Sequence, residues 1–452
     1  MTQVTPRSII IIGSGVFGLS TALSLSKRKS FAATSIILLE ASPTIPCSGA
    51  ASVDDSRILR TDYGNATYSA LAHDARKLWR DTTLTGWGGD GRYRESGFAL
   101  IADGEKGKAY VNRCLDNIRV LESRGVCGVG QIEVLDGLEA VQRATGGLLP
   151  GDWGYVNWGS GWAQATKVMA WAFSQLDKQR VDVRLGAEVV ALLTAPSEGQ
   201  HQKKRVTGVK LANGDELEAD LVVVAAGAWS SKLVDLRGRT EATGQILTYL
   251  RLEEEEERRL ARVPVVMSMA TGIYAIPQQD GVLKVGRNGY GYRNPVHVRT
   301  PAVLRKDSHA VSDTIEVSVP RMGVSVPMEG QEACREVLKP FGLKGDRDFE
   351  RTRVCWYTDT QAGNFIISPH PDHDGSLFIA TGGSGHAFKF FPVIGDKIVD
   401  AIEGCLDPDL KALWAWPEEA VQKFAWEIRP DGSRGGRMNM ILDAELEITS
   451  VA

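Results

Sequence analysis

The residues best placed to do chemistry stand near the start of the chain. Gly13-Ser14-Gly15-Val16-Phe17-Gly18 has the G-x-G-x-x-G spacing and directly follows four isoleucines, residues 9–12. Each glycine has its own task. Gly13 permits a tight turn, Gly15 lets backbone approach a pyrophosphate, and Gly18 lets the next helix lie close to the strand. The helix start adds free N–H groups and a positive dipole end for phosphate. Glu40 ends a second apolar run about twenty residues past the loop, where an acid accepts hydrogen bonds from ribose hydroxyls and disfavours a 2′-phosphate. Together these residues predict dinucleotide binding. Residues 221–229 form another apolar run ending in Ala226, Gly227 and Trp229, small enough at its tip for backbone to lie against a ligand. Arg57 and Arg60, three apart, would share a face if residues 54–64 were helical. Composition alone reads them as exposed arginines on such a helix.

These groups need a sheet to hold them. Strands are expected at residues 9–12, 35–40, 93–101, 181–184, 188–192, 272–277, 282–286, 296–298, 353–359, 365–367 and 377–381. Residues 205–211 and 216–219 form a hairpin around Asn213-Gly214. Helices are expected over 65–82, 106–125, 163–176, 331–338 and 392–402. Residues 47–52 read as a loop crossing the nucleotide, and the glycine- and tryptophan-rich residues 151–162 as a second loop between domains. The run at 353–359 reads as a return to the nucleotide fold. The predicted class is mixed α/β. A nucleotide domain (1–90, 155–235 and 350–405) interleaves with a mixed-sheet substrate domain (91–154 and 236–349), and residues 406–452 extend beyond.

Composition narrows the partners. With 452 residues the chain has room for two or three domains, and 43% hydrophobic residues suffice for their cores. A net charge of −4 without a basic stripe argues against nucleic acid. The acidic run 253–257 reads as a solvated face, and no apolar stretch is long enough to span a bilayer. The six cysteines (47, 114, 127, 334, 355 and 405) are scattered without CxxC or metal spacing, so a reducing compartment and no metal are expected. No signal-peptide pattern opens the chain, and residues 449–452 lack the usual peroxisomal tripeptide, so a cytoplasmic protein is expected.

Four blocks carry a family resemblance: the Gly13–Gly18 loop; residues 56–64 (SRILRTDYG); residues 283–286 (LKVG); and residues 355–360 (CWYTDT) with 383–390 (GSGHAFKF). Their order resembles FAD-dependent amine oxidases of the D-amino-acid-oxidase superfamily, in particular monomeric sarcosine oxidase, fructosyl-amino-acid oxidases (amadoriases) and saccharopine or pipecolate oxidases. The resemblance implies a Rossmann-type FAD-binding domain of the glutathione-reductase type and a monomer acting on an amino-acid-like amine and dioxygen. It implies an FAD held covalently through its 8α position by the Cys355 sulfur; a thiolate is the nucleophile such a bond needs. It places Arg60 and Lys389 on the substrate carboxylate, the arginine as a fork and the lysine as a point charge. Lys284 matches the lysine that stabilises negative charge developing on dioxygen. Around the FAD it places Ala41, Ser56, Arg57, Val189, Ala226, Gly227, Trp229, Gly383, Gly385, His386 and Lys389.

One position departs from the pattern. Asn288, four residues after Lys284, stands where sarcosine oxidase carries an active-site histidine, which argues against a pocket tuned to sarcosine. The implied reaction oxidises the C–N bond of an N-alkyl, N-glycated or cyclic amino acid to an imine, with hydrogen peroxide as the second product. The opening motif alone also admits a dehydrogenase of the same fold with another acceptor, and the Asn288 departure admits a non-catalytic FAD-binding protein.

Overall fold

The computed structural model describes residues 5–126, 130–197, 204–277, 280–301, 313–339, 342, 347–418 and 433–451. Cys127 lies outside them. Strand Ser8–Ile12 sits inside a six-stranded sheet, ordered Ile366–Pro369, Leu377–Thr381, Leu221–Val224, Ser8–Ile12, Ser35–Glu40, Val181–Leu185. All neighbours are parallel except the first pair. The four isoleucines are explained by burial on both faces, as parallel sheets require. Ile9 and Ile11 pack into one core with helices Val16–Lys27 and Phe391–Ile402, while Ile10 and Ile12 face a second core with Val206 and Val209 of the hairpin.

The glycine loop follows from crowding at that strand's end. Gly13 has φ +96°, a left-handed conformation that side chains resist. A Cβ on Gly18 would stand 1.8 Å from the Gly13 carbonyl oxygen, which makes the close helix–strand approach specific to glycine.

The second sheet has ten strands and carries the long strands Thr240–Arg251 and Arg351–Thr360, paired antiparallel from Thr240↔Thr360 to Tyr249↔Arg351. Val282–Arg287 lies on the other side of Thr240–Arg251. The run at 353–359 therefore belongs to this mixed sheet and not to the nucleotide sheet. Its hydrophobic pattern reports burial, which both sheets share.

Three local expectations are corrected. Residues 54–64 are not a helix: Arg57–Leu59 is a short strand paired with Gly161–Ala163, and helix Ala66–Trp79 starts only where the Asn65 side chain caps the Tyr68 N–H. In an extended chain a spacing of three turns Arg57 and Arg60 to opposite sides. Residues 93–101 are two strands, Tyr93–Arg94 and Phe98–Ala102, because Gly97 at φ +84° breaks the run and sends its halves to different partners. Residues 151–162 are not a loop but strands Trp153–Asn157 and Gly161–Ala163 joined by a turn. There the glycines relieve crowding: a Cβ on Gly154 would lie 2.3 Å from the Leu100 carbonyl oxygen, and one on Gly161 2.0 Å from that of Arg94. The other expected helices are present within a few residues, as Glu105–Ser123, Ala165–Ser174, Met328–Glu336 and Phe391–Ile402. Among the described residues no helix is long and apolar enough to cross a membrane.

Candidate active site

A cleft of about 570 Å³ opens at the carboxyl ends of the parallel strands. Gly13, Ser14, Gly15, Val16 and Phe17 line it with Glu40 and Ala41 at one wall. Val189, Ala226, Gly227 and Trp229 also line it, as do Arg57, Gly383, Gly385 and His386. Two observations fit a dinucleotide here. A Cβ on Gly15 would meet nothing within 4 Å, so the loop leaves room for a close ligand where its spacing asks for one. Glu40 is buried beside the loop, accepting from the Ser14 N–H at 2.9 Å, the Ser14 hydroxyl at 2.6 Å and the Ser42 N–H at 2.9 Å.

Six expected residues, Gly18, Ser56, Arg60, Lys284, Cys355 and Lys389, are not among those that line the cleft. Cys355 is adjacent to it. It is buried in strand Arg351–Thr360, its chain neighbours Trp356 and Tyr357 face the cleft, and cleft-lining Arg57 donates from Nη2 to its Sγ at 3.3 Å. Lys284 projects from strand Val282–Arg287 with its side chain 1% exposed, donating to Asp54 Oδ2 at 2.6 Å and to the Ser56 carbonyl at 2.7 Å. Asp54 also takes bonds from Arg57 Nη1 and the Tyr249 hydroxyl. Burial would raise the Asp54 carboxyl, but the Lys284 and Arg57 charges hold it far below the usual carboxylate range. Burial pushes the Lys284 ammonium down to about 8, with Asp54 opposing and Arg57 adding to the shift. The two shifts have different causes: two cations lower Asp54, while burial, with Arg57 adding to it, lowers Lys284.

Arg60 and Lys389 come together on one aromatic ring. The Arg60 guanidinium lies 5.0 Å from the Tyr63 ring centroid, and Lys389 Nζ lies 5.2 Å from it. Lys389 is buried next to the loop that carries His386, and its Nζ donates to the His386 carbonyl at 3.0 Å. Among the described residues no carboxylate lies within ion-pair distance of Arg60.

Asn288 does not stand in place of a catalytic histidine by chemistry. Its Nδ2 donates to the Ser433 carbonyl at 3.0 Å, tying the C-terminal segment to the mixed sheet. The next residue, Arg434, is fully buried against Asp359 at 2.5 Å, and its guanidinium lies 5.5 Å from the Tyr357 ring. Sequence reasoning missed Asp54, Tyr63, Tyr249 and Arg434. Asp54 and Tyr63 sit within or beside the block that flagged Arg57 and Arg60, so an acid three residues before one cation and a tyrosine three after the other were legible signals. Tyr249 and Arg434 had none, because only the fold brings them near.

Comparison with known proteins agrees with this geometry. The family model described as DAO, FAD dependent oxidoreductase, matches residues 8–401. The amino acid oxidase imqH of Aspergillus flavus is 33% identical over 91% of this chain and 98% of its own length. The L-saccharopine oxidase of Schizosaccharomyces pombe is 27% identical over 91% of this chain and 94% of its own. The crystal structure of the fructosamine oxidase Amadoriase II from Aspergillus fumigatus superposes with a TM-score of 0.76 at 25% identity, covering 97% of this chain and 96% of that one. A dinucleotide cleft with this loop, matched along nearly the whole chain, makes the protein a member of the DAO family of FAD-dependent oxidoreductases.

Proposed function

We propose that the protein is an amine oxidase that takes a secondary amine bearing a carboxylate, oxidises its C–N bond to an imine, and passes the two electrons and two protons to dioxygen as hydrogen peroxide. The observation that carries this reading is the pairing of Arg60 and Lys389 on the Tyr63 ring, beside the cofactor cleft. Two cations gathered on one ring, Lys389 buried and Arg60 half-buried, suit a carboxylate better than any neutral group. When bound, FAD supplies the two-electron redox chemistry. Gly13 to Gly18 would hold its pyrophosphate and Glu40 its ribose. Arg57, Ala41, Ser56, Val189, Ala226, Gly227, Trp229, Gly383, Gly385 and His386 would surround the rest. Cys355 would tether it through a thioether, a role supported by its place behind Arg57 at the cleft wall. Lys284 would supply the positive charge toward which dioxygen is reduced.

The substrate class follows from relatives named for amino acids, L-saccharopine and fructosamine: an N-alkyl, N-glycated or cyclic amino acid. Asn288 bound to the C-terminal segment supports a pocket other than one tuned to sarcosine. A monomer is the working unit that the likeness to a monomeric sarcosine oxidase suggests.

The test is an anaerobic screen of N-methyl, N-fructosyl and cyclic amino acids while following flavin absorbance. Bleaching by at least one class is expected. A holoenzyme that no secondary amine bleaches would overturn the reading. Acid precipitation tests the tether separately: a yellow pellet supports Cys355, and a white pellet with all flavin in the supernatant removes its role.

A further inference from the structure

A buried charge cluster centres on a residue that the proposed reaction does not use. The Asp54 carboxylate is 0% exposed and accepts from Lys284 Nζ, Arg57 Nη1 and the Tyr249 hydroxyl. Arg57 continues the chain to Cys355 Sγ at 3.3 Å. An ammonium removed from water loses its proton readily unless an opposite charge stands close by. Among the described residues the ion pair of Lys284 is with Asp54.

We propose that Asp54 is a positioning residue for the oxidase reaction, holding Lys284 protonated and aimed while fixing Arg57 against Cys355. The inference rests on the role assigned to Lys284 in dioxygen reduction.

The surroundings leave this task to Asp54. Ser56 offers only a carbonyl to Lys284. Tyr249 on strand Thr240–Arg251, Tyr274 on Ile273–Pro277 and Tyr357 on Arg351–Thr360 are the nearby phenols. Burial pushes all three upward, Tyr357 to about 12, so near neutral pH they add no negative charge. Arg351, 3.9 Å from the Tyr249 ring, is itself paired with Asp55, and the positive charge acting on Lys284 is that of Arg57. Cys355 completes the set on strand Arg351–Thr360. Asp54 and Arg57 thus act on Lys284 with opposite signs, and this opposition is testable.

The experiment titrates Lys284 in the holoenzyme by NMR of ¹³Cε-labelled lysine, its signal assigned by absence in Lys284→Met. Flavin reoxidation by oxygen is followed over the same pH range by stopped flow. In Asp54→Asn the lysine midpoint should fall by at least about one pH unit, a tenfold loss of ammonium at any pH above both midpoints. In Arg57→Met it should rise. The alkaline fall in reoxidation should move with each midpoint, and the share of flavin kept in an acid pellet should drop in both variants. Coincident titrations of wild type and Asp54→Asn would overturn the proposal. Should Asp54→Asn not fold, an unchanged or lowered midpoint in Arg57→Met overturns it instead. A full acid-stable flavin yield in both variants removes the Cys355 half. Wild-type reoxidation in Lys284→Met would instead defeat the role of Lys284 itself, a separate failure.

Discussion

Lys389 Nζ donates to the Tyr63 hydroxyl at 2.9 Å. That hydroxyl lies 2.9 Å from His386 Nδ1, and His386 Nε2 lies 2.8 Å from the Gly363 carbonyl. A carbonyl only accepts, so Nε2 carries the proton and, in the neutral ring, Nδ1 accepts from Tyr63. The result is a directed chain from an ammonium, through a phenol and an imidazole, to backbone. Removing the hydroxyl takes one of the bonds of Lys389 Nζ, keeps its bond to the His386 carbonyl, and leaves the ring beside both cations. Tyr63→Phe should therefore weaken binding of a carboxylate-bearing amine by about fivefold, the worth of roughly 1 kcal/mol of hydrogen bond. Anaerobic flavin titration measures this; a larger fall in kcat than in affinity would contradict it.

Arg60 offers a fork that lysine cannot copy. Arg60→Lys should weaken a carboxylate-bearing substrate by about 10- to 100-fold, the range of a charge-assisted bond of roughly 1.5–3 kcal/mol. An amine of the same shape lacking the carboxylate should bind wild type and variant alike. Equal losses for both ligands would show that Arg60 supports the fold and not the substrate.

Lys284, lowered to about 8 by burial, is an ammonium below that pH and an amine above it. Reoxidation by oxygen should therefore fall as pH rises through this range, while reduction by substrate need not follow the same limb. Lys284→Met should slow reoxidation far more than reduction at neutral pH. Stopped-flow measurement of the two half-reactions separates these outcomes, and equal slowing would reject the assignment.

Gly18 tests the glycine loop. An added methyl would meet the Gly13 carbonyl oxygen at 1.8 Å, and that atom is backbone that cannot swing aside, so helix and loop must part. Gly18→Ala should cost about 1–3 kcal/mol, the usual penalty of overpacking, and lower both the melting temperature and the flavin content. Retention of both would mean that the loop tolerates the shift.

The nucleotide half was legible because its signals are local. Residues 9–12 need burial on two faces, Gly13 needs a left-handed turn, and Glu40 follows at a set distance; one stretch of chain carries all three. The mixed sheet was less legible. The segment 153–162 pairs with residues far away, and its glycines serve that crowding, so they mimic a loop when seen alone. Arg57 looked like a surface residue because nothing local announces its distant partner: Cys355 stands 298 positions on. Family motifs named Lys284, Cys355 and Lys389, but not the acid and the phenol that hold them. Those contacts, Asp54 to Lys284 and Tyr63 to Lys389, join residues 230 and 326 positions apart and exist only once the chain has folded.

The central claim is that dioxygen is the electron acceptor of an amine oxidation. The most direct measurement is of hydrogen peroxide formed and oxygen consumed per amine lost, in air, with a substrate that bleaches the flavin. The account predicts one of each per amine. Reduced flavin that persists in air without peroxide, and recovers only with an added acceptor, would contradict it and identify a dehydrogenase.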